Sequence, residues 1–123
     1  MLEAYSVNAD VTANSAVPFN SVSLVKGKTA LLSGTSTIQL NKCGVYMVSF
    51  DGSTSADTTV QLYKDGVAQP QAQSTGDELG FVTLVQVIEN NSCCACANPT
   101  NLQVINTTEA TFTNANVVVT KVV

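Results

Sequence analysis

The stretch "STIQLNKCGVYMVSFDGS", residues 36–53, indicates the fold class, because two runs of β-forming residues flank a turn that contains glycine. In the second run, Tyr46, Val48 and Phe50 occupy every other position, and the residues between them become polar toward Asp51. A two-residue period is typical of a β-strand with one buried face. The pattern therefore predicts a strand whose three alternating apolar side chains lie in a core.

Similar short runs recur along the chain at intervals of about 8–12 residues and are separated by Gly, Asn, Asp and Ser. They predict about ten strands, over residues 4–11, 22–25, 28–32, 36–40, 45–53, 58–64, 67–73, 78–88, 101–107 and 110–123. Asp65-Gly66 predicts a tight hairpin, and Pro70 predicts that the following arm is an edge or bulged strand. We expect one all-β domain over residues 1–123, a jelly-roll β-sandwich of short antiparallel strands.

The composition excludes most familiar enzyme sites. The 123 residues include no His, Arg or Trp, which removes Ser-His and Cys-His nucleophile pairs, imidazole metal ligands and arginine clamps. The net charge is −4, and no run concentrates the five lysines, so nucleic acid is not an expected partner. No apolar run approaches the roughly 20 residues that span a bilayer, and no export signal is recognisable. The sequence predicts a protein that is not an enzyme and needs no cofactor or membrane.

The strand predicted over 78–88 is unusual because both of its faces are apolar. One face carries Phe81, Val85 and Val87, and the other carries Val82, Leu84 and Ile88. Only one face of a strand meets the core of a sandwich, so the second face implies a covering loop or a neighbouring subunit. A buried helix of similar length is an alternative interpretation of the same run.

The order of "AVPFN", "LLSGTSTIQLNKCGVYMVSFDG" and "VQLYKDGVAQP" also carries a family resemblance. It resembles the tumour-necrosis-factor and complement-globular-head superfamily, and within it the carboxy-terminal domains of bacterial collagen-like surface glycoproteins and phage head-fibre or decoration proteins. The matching positions are Pro18-Phe19-Asn20, Gly44, Tyr46, Leu62 and Asp65-Gly66. The chain lacks the collagen-like stalk of those glycoproteins, and its cysteine-rich segment is not part of the general pattern.

The resemblance covers residues 16–123 and implies a compact jelly roll that assembles as a homotrimer. In such a trimer, the apolar second face of the strand predicted over 78–88 is expected to contact neighbouring subunits. The candidate interface residues are Phe81, Val82, Leu84 and Ile88.

The segment "ENNSCCACANPTNLQV", residues 89–104, holds three of the four cysteines, Cys93, Cys94 and Cys96, and the fourth is Cys43. A zinc site would need four ligands at wider spacing, although three copies of the segment could pool their thiols about an axis. A redox pair at Cys93 and Cys96 would need a helix start or a positive neighbour. A disulfide between Cys43 and the segment is a third alternative. The residues favour a disulfide staple or a buried plug, and no metal site is predicted.

Two weaker patterns remain. The carboxylates of Asp51, Asp57, Asp77 and Glu78 are candidate Ca²⁺ ligands, but they lack a recognised loop signature and are better explained as solvated turn residues. Asn106-Thr107-Thr108 matches the pattern of a glycosylation acceptor, which matters only in a secreted eukaryotic protein.

Three function classes follow. The first is a structural protein of a phage virion, a trimeric capsid decoration or head or tail fibre that contacts other virion proteins and is assembled in the host bacterial cytoplasm. The second is a module that binds a receptor or a host surface glycan through polar loops, with Tyr63 as a stacking surface. The third is a thiol-based zinc protein. The resemblance and the absence of a catalytic constellation favour the first class.

Overall fold

The computed structural model describes residues 1–88 and 99–123, and these form nine β-strands. The strands are β1 (Leu2–Val11), β2 (Ser15–Ala16), β3 (Ser21–Val25), β4 (Ala30–Ser33), β5 (Thr37–Leu40), β6 (Gly44–Lys64), β7 (Val67–Val87), β8 (Thr100–Asn106) and β9 (Ala110–Lys121). Every pairing between them is antiparallel. The predicted all-β jelly roll is confirmed. No helix within the two described ranges is long and apolar enough to span a membrane.

The strands form a sandwich because the two longest ones pass from one sheet to the other. The first half of β6 pairs with β9 and its second half pairs with β8, with a shift of register between Ser53 and Thr58. The strand β7 follows β6 along both halves. Sheet one therefore contains β3, β1, β9, the first half of β6 and the second half of β7. Sheet two contains β2, β4, β5, β8 and the other two halves.

The prediction of ten short strands divided each of these long strands in two. The segments 45–53 and 58–64 are the halves of β6, and the segments 67–73 and 78–88 correspond largely to the halves of β7. In the sequence, the polar residues between the halves predict turns. In the structure they stay extended while the pairing register shifts, so the strand bends across the end of the sandwich without a loop.

The core lies between the two sheets and is centred on aromatic side chains. The rings of Phe50 and Phe81 stack with centroids 5.5 Å apart, and Phe19 meets Phe50 edge to face at 6.3 Å. Tyr46 and Val48 are fully buried on the same face of β6 as Phe50. The alternation predicted from residues 36–53 is therefore confirmed.

The hairpin between β6 and β7 has the predicted turn. Asp65 and Gly66 both have positive φ angles, 49° and 82°, as a tight two-residue turn of this hand requires. Beyond the turn, the register shifts because β7 carries extra residues, including Pro70, opposite Gln61 to Tyr63. Within the described residues, β7 pairs with β6 alone, so the prediction of a bulged edge strand is confirmed.

Candidate interaction face

The outward face of the second half of β7 exposes large apolar side chains. Val82 is 64% exposed, Leu84 is 60% exposed and Ile88, just after the strand, is 68% exposed. Gln86 is exposed on the same face, and the alternate residues Phe81, Thr83, Val85 and Val87 are buried, as the two-residue period of a strand dictates. Phe81 belongs to this inward set and faces the core, so its side chain is not on the surface that it was predicted to share with the other three. The trimer interface itself stays a prediction.

The exposed residues of β7 continue onto the neighbouring strand. Leu84 lies directly opposite Met47 of β6, and Met47 is 37% exposed. Directly opposite side chains on one face of an antiparallel pair lie within contact distance. We call Val82, Leu84, Ile88 and Met47 the β7 patch.

A second group of exposed apolar residues lies toward the other edge of sheet one. Tyr5 and Val7 of β1 and Leu24 of β3 all point to the same outer surface as the β7 patch. We call these three residues the β1–β3 patch. One row of paired residues leads across sheet one from Val82 in the β7 patch to Leu24 in the β1–β3 patch. Ser49, Val118 and Glu3 lie between these two residues. The outer face of sheet one therefore has two separate apolar patches at opposite edges.

The acidic residues that were candidates for Ca²⁺ do not form a chelating group. Asp51, Asp57, Asp77 and Glu78 are all exposed. Among the residues that the structure describes, no three His, Cys, Asp or Glu side chains come together in a way that could hold a metal ion.

Cys43 immediately precedes β6, is half-buried and is disulfide-bonded. The other members of the predicted cysteine cluster, Cys93, Cys94 and Cys96, lie outside the described residues. Cys43 is therefore held in a disulfide, whereas the roles of Cys93, Cys94 and Cys96 stay a prediction.

Asn106 is fully buried at the place where β6 passes between the sheets. Its amide nitrogen donates to the carbonyl oxygens of Val11 at 3.3 Å and Thr108 at 2.6 Å, and its amide oxygen accepts from the Thr58 hydroxyl at 2.5 Å. The asparagine of the glycosylation acceptor pattern is thus enclosed in the protein, whereas Thr107 and Thr108 are exposed. Sequence analysis missed this role, although Asn106 continues the inward alternation of Leu102 and Val104 along β8.

Tyr63, the candidate stacking residue, is half-buried in β6 between Ala68 and Gln103. Its ring is therefore flanked on both sides by residues of sheet two and does not stand free on a loop.

Comparison with known proteins identifies the fold. No protein-family model matches the chain, and no curated protein matches its sequence. Among solved structures, the globular domain of zebrafish complement 1qA protein matches with a TM-score of 0.76 and 9% identity, over 99% of this chain and 96% of the other. Rabbit GITRL matches with a TM-score of 0.63 and 10% identity, over 100% and 95% of the two chains.

A third match is the vertex protein P5 of phage PRD1, with a TM-score of 0.68 and 12% identity over 99% of this chain and 96% of that one. The protein thus has the jelly-roll fold of complement 1q and tumour-necrosis-factor domains, which confirms the resemblance at the level of fold. Folds of this kind typically form trimers, and the three matched proteins are not enzymes. At these identities the likeness concerns the fold alone.

Proposed function

We propose that the protein is a non-enzymatic structural protein of a phage virion, a homotrimer exposed on the particle as a capsid decoration or a head or tail fibre. The observation that carries this proposal is the pair of apolar patches on the outer face of sheet one. Monomeric soluble proteins rarely leave contiguous apolar surface exposed, and such surface marks an interaction site.

The position of the two patches favours a ring over a two-fold dimer. A two-fold interface uses the same surface on both subunits, whereas a closed ring uses two different surfaces on each subunit. The β7 patch and the β1–β3 patch are different surfaces at opposite edges of one sheet. A ring of three copies would place the β7 patch of each protomer against the β1–β3 side of the next, and this arrangement agrees with the usual assembly of the fold.

A free edge adjoins the β7 patch. Within the described residues, the second half of β7 has a strand partner on one side only. Soluble proteins commonly protect such edges with charge, proline or a covering element. The outward residues Val82 and Leu84 supply neither charge nor proline, so a neighbouring subunit would cover both the patch and the edge.

The virion role draws on the fold and on the surface chemistry. The fold is shared with PRD1 vertex protein P5, and charged residues make up only 11% of the chain. No nucleophile–base pair containing histidine can be built from this sequence. These features suit a protein whose role is assembly and display.

The composition of purified particles tests this role. Particles of the phage that encodes the chain are purified by density gradient, and their proteins are identified by peptide mass spectrometry. We expect the chain at a copy number divisible by three, and we expect purified protein to bind particles that lack it until those sites are saturated. Absence from the particles, or binding to free glycans in place of particles, would contradict the proposal.

A further inference from the structure

The fold gathers lysines that are scattered along the sequence. Lys26 and Met1 exchange backbone hydrogen bonds of 2.9 Å, so the turn after β3 adjoins the start of β1. Lys121 lies opposite Tyr46 near the start of β6. The Tyr46 hydroxyl in turn donates to the Lys42 carbonyl at 2.8 Å. Three of the five lysines therefore lie at one end of the sandwich.

The other two lysines lie at the same end. The Asn41 side chain donates to the Lys28 carbonyl at 3.0 Å, which places Lys28 beside the segment that holds Lys42. The Lys64 ammonium donates to the carbonyl of Gln86 at 2.7 Å, and Gln86 pairs with Val45 at the start of β6. We call this region the lysine end, and it holds all five cationic side chains of the chain.

Most of the carboxylates lie at the opposite end. Asp10 accepts a hydrogen bond from Thr111 at 2.6 Å near the start of β9, and Glu109 precedes that strand. Asp57, Asp77 and Glu78 lie where β6 and β7 pass between the sheets. Five of the eight carboxylate side chains in the described part of the chain are thus at this acidic end.

The remaining three carboxylates do not neutralise the positive charge of the lysine end. Asp51 lies nearer the middle of sheet one, and only Glu3 and Asp65 lie on the side of the lysines. No lysine ammonium is hydrogen-bonded to a carboxylate side chain among the described residues, and Lys26, Lys28 and Lys42 are exposed. The three exposed ammonium groups are therefore available to an external partner.

The separation of the two ends makes them electrically independent. About nine residues of β1 lie between them, which corresponds to roughly 30 Å at the rise of a strand. The Debye length at physiological ionic strength is about 8 Å. A partner at the lysine end therefore meets a positive surface even though the net charge of the whole chain is −4.

We infer that the lysine end is a docking surface for an acidic protein surface, with the acidic end pointing away from the partner. The interspersed carboxylates of Glu3 and Asp65 and the absence of arginine do not suit a continuous phosphate backbone. Ammonium groups spread over several turns fit separate carboxylates on a protein. This inference deepens the proposed virion role by naming the side that faces the particle, and its biological meaning rests on that role.

The test uses immobilised poly-L-glutamate as the probe and biolayer interferometry at low salt and pH 7. One variant carries Lys26→Gln, Lys28→Gln and Lys42→Gln. The matched control carries Asn14→Asp, Ala56→Asp and Asn114→Asp, all exposed positions near the acidic end. Both variants become more negative by three charges, so they differ in where the charge changes and not in the total.

We expect the wild-type protein to bind the probe, the lysine variant to bind about tenfold more weakly and the control to stay within about twofold. Equal losses in the two variants, or no binding by the wild type, would overturn the inference. Tighter binding to duplex DNA or to phosphatidylserine vesicles than to poly-L-glutamate would also overturn it. Because the probe is not a virion, these outcomes are independent of whether the protein is found in particles.

Discussion

The two halves of β7 share one partner strand but present different outer surfaces. The first half lies in sheet two, contains Pro70 and its bulge, and exposes Gln71 and Gln73. The second half lies in sheet one and exposes Val82 and Leu84. Pairing with β6 is therefore compatible with a polar outer face, and the apolar outer face of the second half is not a requirement of the sheet. This difference indicates that the second half contacts something outside the protomer.

The comparison requires that the inner and outer faces of the second half of β7 are clearly separated. The substitution Phe81→Ala tests this separation and is expected to change the free energy of unfolding more than any other variant proposed. Phe81 stacks on Phe50, so we expect the free energy of unfolding to fall by about 3 kcal/mol from lost burial and a new cavity. Val67→Ala, at an exposed position of the first half, is the control and should change it by less than about 0.5 kcal/mol. Urea unfolding gives both values. A loss below about 1 kcal/mol for Phe81→Ala would mean that the ring does not belong to the core.

Asn106→Ala tests the junction at which the long strands pass from one sheet to the other. The substitution leaves the buried carbonyl of Val11 and the partly buried carbonyl of Thr108 without their amide donor. We expect a loss of about 2 kcal/mol in the free energy of unfolding. Thermal unfolding followed by circular dichroism measures it, with Asn114→Ala on the exposed face of β9 as the control. Equal stability of the two variants would show that the buried network does not hold the junction.

The substitution Tyr46→Phe tests β6 where it lies beside the second half of β7, because Tyr46 pairs with Val85 there. At neutral pH the variant loses one hydrogen bond to the Lys42 carbonyl, and we expect a loss of about 1 kcal/mol. Burial raises the pKa of the Tyr46 hydroxyl above its usual 10.0. A raised pKa in the folded state contributes stability that is complete below pH 10 and is lost as the pH rises through the folded-state value.

The phenylalanine variant has no such group to titrate at this position, so its stability should fall less steeply above pH 10 than that of the wild type. Urea unfolding at neutral pH and at several alkaline values compares the two slopes. Parallel pH profiles would show that Tyr46 titrates in the folded protein as it does in the unfolded chain.

Sequence patterns predicted the local features because those features depend on neighbouring residues. The inward set around Tyr46 and Phe50 follows from a period of two. The turn at Asp65-Gly66 could be predicted because Asp and Gly tolerate the positive φ angles that this turn requires. The lysine end could not be predicted from residue runs, because its members come from separate turns and termini that only the topology brings together. Asn106 was missed for a similar reason, since its partners Val11 and Thr58 are distant in sequence.

The two halves of each long strand were also separated in the prediction because polar residues usually indicate turns. Here the residues between Ser53 and Thr58 stay extended and only shift register. The naming of Phe81 as an interface candidate had a different origin. The two-residue period already placed Phe81 on the face opposite Val82, Leu84 and Ile88, so its inclusion with them conflicted with that pattern.

The native mass of two matched valine variants tests the central claim most directly. Val82 and Val67 lie in the two halves of the same strand and are 64% and 63% exposed. We expect the wild-type protein to have about three times its chain mass of 12.8 kDa in nondenaturing mass spectrometry. Val82→Asp should give a monomer with its β-sheet circular dichroism unchanged, because an unpaired carboxylate would be desolvated in the interface. Val67→Asp should remain a trimer. A monomeric wild type, or a Val82→Asp variant that keeps the trimer mass, would contradict the account.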